Sequence, residues 1–247
     1  MQNQTRRDVE EWSLNRVMIG YDSREADAYR VCEKSILRFS HQCITPLKEI
    51  GLRRSGLYDR PYRCEGAQRY DTRDGRPFST EFSFTRFLVP ALNQYEGWAL
   101  FCDCDFLFRT DVNELFSLCD DEYAVMCVKH DYRPTETTKM DGQAQQVYAR
   151  KNWSSLVLWN CGHPMNQKVV PRFINYMPGG KLHAFCWLKD SEIGSLPEKW
   201  NWLAGSSHPA WEPKAVHYTM GIPSMQGYEN APYADEWRAL LDDPAPR

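Results

Sequence analysis

The feature that most constrains the fold is an apolar run from Ala99 to Phe108 that contains two carboxylates. It reads ALFCDCDFLF, and its charged residues are Asp103 and Asp105. Continuous apolar character is typical of a strand that is covered on both faces of a sheet. Two ionised carboxylates inside a core would be strongly unfavourable. The run therefore predicts a buried strand that emerges into a cleft, with both aspartates on one face because side chains alternate along a strand.

A divalent cation would explain why both carboxylates stand at this point of the strand. Mg²⁺ and Mn²⁺ prefer carboxylate oxygens and also bind diphosphate oxygens. In open α/β sheets, ligands bind beyond the carboxyl ends of the strands. We therefore predict a metal site at Asp103 and Asp105. The alternative is that the two aspartates cap the following turn or form ion pairs with Arg86 and Arg109.

Strands and helices alternate along most of the chain, which predicts an α/β fold with a mainly parallel central sheet flanked by helices. Residues 51–80 have no steady period and are predicted to be loop. From Trp187 onward the chain is rich in Trp and Pro, which predicts a loop-rich C-terminal part. We expect a flexible segment at 1–15 and one domain at 16–247. Strands are expected at 16–20, 44–50, 98–108, 123–130 and 154–161, and helices at 25–38, 80–92, 111–116 and 166–177.

Composition limits the classes of partner and compartment. The 247 residues carry a net charge of −3, which argues against a strongly electrostatic nucleic-acid binder. The first 15 residues contain no apolar segment of the kind found in signal peptides. The nine cysteines are odd in number and form no CxxC pair. This usage predicts a reducing, cytoplasmic compartment with neither a disulfide framework nor a zinc site, and thiols that pack in the core.

Four segments together resemble the GT-A-fold nucleotide-sugar glycosyltransferases, and are most similar to the glycogenin-like and galactosyltransferase-like family 8 group. They are LFCDCDFLFRTDVNELF, with its D-x-D motif, IGYDSRE, FSFTRFLVPAL and KAVHYTMGIP. The resemblance implies a single GT-A-like (Rossmann-like) domain that moves a sugar from a nucleoside diphosphate sugar, most plausibly a UDP-sugar, to a hydroxyl acceptor. It further implies Mn²⁺ or Mg²⁺ as cofactor and retention of the anomeric configuration.

The same resemblance assigns roles to individual residues. His217 would be the third metal ligand beside Asp103 and Asp105. The family's lysine after the glycine of the last segment is missing, because the chain reads Gly221-Ile222-Pro223-Ser224. Another cation, Lys214 or Arg86, would have to contact the diphosphate. The residues expected to contact the nucleotide-sugar donor are Tyr21, Asp22, Arg86, Asp103, Ser155 with its neighbour Ser154, Lys214 and Gly221.

Two further residues are predicted to lie beside the reacting sugar. Asp190 falls at the position of an acidic residue of the family that contacts the donor sugar, and Glu192 is a weaker substitute. Asn160 corresponds to a small polar segment of the family that packs against the same sugar. The alternative for Asp190 is a helix cap. The alternative for Asn160 is a strand end whose hydrogen-bonding groups are satisfied by its own polar residues. The long basic loop 129–153, which includes Lys129, Lys139, Arg150 and Lys151, is expected to contact the acceptor or the donor phosphates.

The acceptor is not identified by the sequence. Glycans, lipid-linked saccharides and protein side chains are candidates, while a hydroxylated nucleobase in DNA is possible but not favoured. A cluster of Arg53, Arg54, Arg60, Arg63 and Arg69 could contact a phosphate-bearing acceptor. Two other functions use the same carboxylates: a metal-dependent nucleotidyltransferase or phosphohydrolase, and a non-catalytic module that binds a sugar nucleotide.

Overall fold

The computed structural model describes residues 16–66, 68–131, 150, 152–208 and 211–243. The predicted flexible segment 1–15 lies outside the described residues. So does most of the predicted acceptor loop at 129–153, including Lys139 and Lys151. Lys129 is described, and its Nζ donates a hydrogen bond to the carbonyl oxygen of Ile193 at 2.7 Å.

A six-stranded sheet forms the centre of the fold, in the spatial order β10-β8-β9-β6-β1-β2. β9 is antiparallel to both of its neighbours, and the other three pairings are parallel. The prediction of an α/β fold with a mainly parallel central sheet is confirmed. The strands are β1 (Arg16–Gly20), β2 (Cys43–Leu47), β6 (Trp98–Cys102), β8 (Val125–Cys127), β9 (Leu156–Asn160) and β10 (Ile193–Ser195).

The predicted strand 98–108 is two strands in two different sheets. β6 ends at Cys102, and β7 (Phe106–Phe108) pairs antiparallel with β12 (Ala215–His217), which in turn pairs with β11 (Trp202–Leu203). Asp103 and Asp105 therefore lie in the connection between sheets. The prediction that they share one face of a single strand is wrong, because the apolar run continues through the bend and hides it from a reading of periodicity.

Residues 51–80 were predicted to be loop, and this prediction is also wrong. They contain the end of a short helix and a three-stranded antiparallel sheet. The strands are only two to four residues long, and all four residues of the first are exposed, so they are too short to show a steady period in the sequence. The strands are β3 (Tyr62–Glu65), β4 (Gln68–Asp71) and β5 (Pro77–Phe78).

Helices cover the sheet, and the longest of them follow the apolar pattern of the sequence. α1 buries five residues that share one stripe: Ala28, Val31, Cys32, Ser35 and Ile36. The predicted helix 80–92 is shorter: a 3₁₀ turn over Thr85–Leu88 continues into α3, with Pro90 in its first turn, where the missing N–H costs least. The helices are α1 (Ala26–Leu37), α2 (Glu49–Arg54), α3 (Val89–Leu92), α4 (Asn113–Phe116), α5 (Pro171–Tyr176), α6 (Gly179–His183) and α7 (Ala234–Asp242).

The C-terminal part is held against the N-terminal helix. Lys34 Nζ donates to the carbonyl oxygen of Leu240 at 2.9 Å, and Arg38 forms an ion pair with Glu236 at 2.9 Å. These contacts fix α7 beside α1. Among the described residues, no helix combines the length and the apolar character needed to cross a membrane.

Cysteines fill parts of the core, as the sequence predicted. Cys32 and Cys102 are fully buried, with their sulfur atoms 3.9 Å apart, and Cys104 is fully buried between the two aspartates. All nine cysteines of the chain fall in the described part, and each is a free thiol.

Candidate functional site

The carboxyl end of β6 brings Asp103, Asp105 and His217 together. Asp103 directly follows β6, and Asp105 directly precedes β7. β12 pairs antiparallel with β7, and this register places His217 opposite Phe106, one residue from Asp105. One carboxylate oxygen of each aspartate and one imidazole nitrogen all lie within 4.8 Å of one another. These three residues form the candidate metal triad.

The imidazole of His217 is held in one orientation and one tautomer. The residue is 2% exposed, and its ring stacks on Phe106 with a centroid separation of 4.3 Å and an interplanar angle of 15°. Its Nδ1 lies 2.9 Å from Oδ1 of Asn201. An amide oxygen can only accept a hydrogen bond, so Nδ1 carries the proton and donates a hydrogen bond to Oδ1 of Asn201. The lone pair is therefore on Nε2, which faces Asp105 Oδ1 at 3.4 Å.

A buried polar network fixes Asn201 in turn. Its Nδ2 donates to Ser155 Oγ at 2.9 Å and to the carbonyl oxygen of Asn152 at 3.4 Å. Ser155 Oγ donates to that same carbonyl at 2.7 Å. These contacts determine which way the amide of Asn201 points. The Asn152 carbonyl can only accept, and Ser155 Oγ already donates to it, so both need the nitrogen of Asn201 as donor. Ser155, predicted as a donor contact, lies in the cavity wall and also supports the histidine from behind.

Arg86 reaches the triad from the opposite wall. Its Nη1 lies 2.7 Å from Asp103 Oδ1 and donates to the carbonyl oxygen of Ser154 at 2.9 Å. The side chain is almost fully buried between the rings of Phe82 and Phe101. The ion pair that we considered as an alternative thus exists for Asp103. Arg109, the other partner considered, instead pairs with Glu236 at 2.9 Å.

The triad opens into a cavity of about 210 Å³. Its wall includes a half-buried acid that the sequence analysis missed, Glu25, whose Oε2 accepts a hydrogen bond from Cys104 Sγ at 3.3 Å. Burial, together with the charges of Asp105 and Asp22, raises the pKa of Glu25 to about 7. The wall also contains a histidine that we had not predicted, His183, whose Nδ1 lies 2.8 Å from Ser154 Oγ.

The chemistry of the donor set fits a hard divalent cation. Two carboxylates and one imidazole are ligands that Mg²⁺ and Mn²⁺ accept, while softer metals favour thiolates. Cys104 lies between the aspartates, yet its sulfur is directed to Glu25, and burial raises its pKa well above the usual value. It is therefore a neutral thiol, and the set is oxygen and nitrogen only.

Three predicted residues lie away from this cavity. Asn160 ends β9 opposite Trp98, while Leu156 at the other end of β9 pairs with Cys102. The antiparallel direction of β9 therefore places Asn160 at the end of the strand away from the triad.

The other two residues form ion pairs outside the cavity. Asp190 is 89% exposed and pairs with Arg150. Lys214 pairs with Glu114. None of the side chains of Asn160, Asp190 and Lys214 lines the cavity, and their predicted roles at the donor stay predictions. Glu192, the weaker candidate, accepts a hydrogen bond from the Lys189 backbone.

Three other predicted residues lie beside the cavity without lining it. Tyr21 follows β1 and packs edge-on against Tyr29 at 5.4 Å. Asp22 is fully buried, and although burial alone would raise its pKa, the hydrogen bonds from Arg24 lower it. Gly221 donates its N–H to the carbonyl oxygen of Tyr218 at 3.0 Å in a turn next to a wall residue, Ile222.

The residues of the predicted arginine cluster differ in burial, and their contact with a phosphate-bearing acceptor stays a prediction. Arg60 is 1% exposed and forms a buried ion pair with Asp71, with 3.0 Å between Nε and Oδ1. Arg53 pairs with Glu49 at 2.6 Å. The cluster is divided between the interior and the surface, because the segment that carries it folds into a small sheet.

Comparison with known proteins agrees with this architecture. The chain is 50% identical over 235 residues to Protein CDI of Arabidopsis thaliana, covering 92% of this chain and 86% of that protein. No protein-family model matches the chain.

Solved structures share the fold at low identity. The WbbM bifunctional glycosyltransferase superposes with a TM-score of 0.59 at 15% identity over 93% of this chain, which spans only 50% of WbbM. The glycosyltransferase GlyE of Streptococcus pneumoniae gives 0.58 at 15% identity over 93% of this chain and 61% of its own. The galactosyltransferase LgtC, solved with donor and acceptor sugar analogues, gives 0.55 at 11% identity, with 94% and 97% of the two chains covered.

Proposed function

This chain belongs to the family of Protein CDI from Arabidopsis thaliana, and we propose that it is a metal-dependent glycosyltransferase. It would transfer the sugar of a nucleoside diphosphate sugar, a UDP-sugar in this proposal, to a hydroxyl acceptor. The fold is that of solved glycosyltransferases, which is consistent with this activity.

The observation that carries the proposal is the triad of Asp103, Asp105 and His217 at the carboxyl end of β6. It combines ligands for a hard cation with a cavity beyond the carboxyl end of a sheet strand, where open α/β sheets bind their ligands. These three residues would hold Mn²⁺ or Mg²⁺, which when bound supplies Lewis-acid neutralisation of the diphosphate leaving group.

The chain's own groups would position the donor on either side of the triad. Tyr21 and Asp22 follow β1 and would contact the nucleoside. Ser154 and Ser155 precede β9, on the other side of β6, and would face the sugar. Arg86, already paired with Asp103, would hold that carboxylate in place and present its remaining N–H groups to the phosphates. We assign no residue as general base.

A panel of nucleotide-sugars tests the proposal through their hydrolysis with and without Mn²⁺. We expect a UDP-sugar to be consumed in a Mn²⁺-dependent manner, and we expect Asp105→Asn to abolish that turnover. Asp235→Asn, at a fully exposed side chain in α7, is the matched control and should retain it. Pyrophosphate release would instead indicate a nucleotidyltransferase. Mn²⁺-dependent UDP binding without any turnover would indicate a non-catalytic module.

A further inference from the structure

The cavity has a second end, which we call the distal lobe and define by Asp74, Arg76, Phe78, Gly180 and His183. The end beside the triad is acidic, since Glu25 accompanies the two aspartates. The distal lobe contains an arginine and a histidine, and its one acid, Asp74, is occupied by hydrogen bonds from two backbone N–H groups. The two ends therefore suit groups of different charge.

The distal lobe lies on the side of the triad away from the nucleoside residues. β1 and β9 pair with opposite edges of β6. Asp22 follows β1, whereas Ser154 precedes β9 and is bonded to His183 of the lobe. The antiparallel strands β4 and β5 span the distance between the two sides. Arg69 on β4 lies 3.8 Å from Asp22, and Arg76 just before β5 reaches Gly180.

Three arginines line the cavity, and they differ in their ion pairs. Arg24 is paired with Asp22 at 2.7 Å, and Arg86 is paired with Asp103 at 2.7 Å. The guanidinium of Arg76 forms no ion pair with the part of the chain that the structure describes. Asp74 is its nearest acid in sequence, but the oxygens of Asp74 accept from the backbone N–H groups of Arg76 at 3.0 Å and Gly179 at 3.1 Å.

Gly180 lies beside the guanidinium of Arg76. A Cβ atom at Gly180 would be 3.6 Å from Arg76 Nη1, which is an ordinary van der Waals contact, so the guanidinium stands next to bare backbone. The planar guanidinium can donate two parallel hydrogen bonds to a carboxylate or a phosphate. The lobe thus offers an open cationic wall on the side of the cavity away from the nucleoside residues.

We propose that the distal lobe binds an anionic group of the acceptor, a carboxylate or a phosphate, through the guanidinium of Arg76. The inference rests on the proposed transferase function and names the class of its acceptor: a hydroxyl compound that carries a negative charge. His183 and Ser154 then lie between that anion and the triad, where the acceptor hydroxyl has to reach the donor sugar.

Three acceptors that share the glucose ring but differ in charge at C6 test this inference. Methyl glucoside, methyl glucuronide and glucose 6-phosphate are offered with Mn²⁺ and the UDP-sugar that the protein hydrolyses, and glycosylated products are measured by mass spectrometry. We expect transfer to a charged acceptor above the neutral one, and the favoured arm distinguishes carboxylate from phosphate. Arg76→Gln should lower kcat/KM for that acceptor by about tenfold or more, the factor of one charge-assisted hydrogen bond.

Donor hydrolysis without acceptor separates this result from a general defect. It should be unchanged in Arg76→Gln, because that side chain lies away from the triad, and Arg76→Lys should keep part of the transfer rate. Arg73→Gln is the matched control, since Arg73 lies in the same connection between β4 and β5 but donates to the Asn175 carbonyl at 3.0 Å and stacks on Tyr176, outside the cavity. It should behave like the wild type.

The inference is overturned if neutral and charged acceptors are used equally or not at all, or if Arg76→Gln behaves like Arg73→Gln. It is also overturned if Arg76→Gln slows the hydrolysis of UDP-glucuronate but not of UDP-glucose, because the anion would then belong to the donor. In each of these cases donor hydrolysis by the wild type persists, so the proposed function stands. Loss of Mn²⁺-dependent hydrolysis in the wild type would overturn both.

Discussion

The amide of Asn201 is the contact through which the fold controls the metal ligand, and its replacement gives the sharpest prediction. Asn201→Leu keeps the branching of the side chain at Cγ but removes the acceptor for His217 Nδ1 and the donor to Ser155 Oγ. The imidazole loses the hydrogen bond that places its lone pair on Nε2. Such outer partners of ligating histidines are worth about 10- to 100-fold in metal affinity, which is about 1.4–2.8 kcal/mol.

The same substitution also destabilises the protein, so it needs a control that separates the two effects. Asn166 is equally buried, and its Nδ2 donates to the carbonyl oxygens of Ala124 and Asn160 at 2.6 and 2.8 Å, at the far edge of the sheet. Asn166→Leu and Asn201→Leu should each cost about 1–3 kcal/mol of the free energy of unfolding. Only Asn201→Leu should weaken Mn²⁺ binding.

The assay is a Mn²⁺ titration that follows the free ion by electron paramagnetic resonance, beside urea unfolding in EDTA. Asn201→Asp should restore the affinity to at least the wild-type value, because a carboxylate accepts from Nδ1 and raises the basicity of the ring. Equal Mn²⁺ affinity in Asn201→Leu and Asn166→Leu would contradict this prediction, because the hydrogen bond to His217 would then have no effect on metal binding.

Two further predictions concern stability. In the metal-free protein the pKa of Glu25 is raised from its ordinary 4.5 to about 7, so the folded state holds a proton that the unfolded state has lost. The free energy of unfolding should therefore fall as pH rises from about 5 to 8. Glu25→Gln should remove up to about 3 kcal/mol of that fall, measured by urea unfolding in EDTA. An identical pH dependence in the wild type and the variant would contradict this prediction. Arg60→Met should cost about 3–5 kcal/mol because it leaves Asp71 charged and buried. The double variant Arg60→Met with Asp71→Asn should recover part of the loss, and a double variant less stable than the single one would be the contrary result.

The features that the sequence predicts well are those that periodicity or an unbroken apolar run encodes. β6, β9 and α1 were found in this way, and the two aspartates were placed at the end of a buried strand because their charges interrupt it. His217 was found by resemblance, since a lone histidine after two apolar residues is not specific by itself. The triad could therefore be proposed before its geometry was known.

What escaped prediction depends on contacts between distant segments. The residues of β9 do not indicate its direction in the sheet. Because β9 runs antiparallel to β6, Ser155 lines the cavity and Asn160 does not. Glu25 resembles an ordinary acid at the start of a helix. Its raised pKa depends on partial burial, on the charge of Asp105 and on a cavity wall that includes its hydrogen-bond donor Cys104, about 80 positions later in the chain. Asn201 lies 16 residues from His217, with no local pattern that links them.

Anomalous diffraction from crystals grown with Mn²⁺ and UDP would locate the metal itself. We expect one strong manganese peak within bonding distance of a carboxylate oxygen of Asp103, a carboxylate oxygen of Asp105 and Nε2 of His217, with phosphate oxygens of UDP completing its coordination. A manganese peak elsewhere, or UDP bound in the cavity with no manganese between these three side chains, would contradict this prediction.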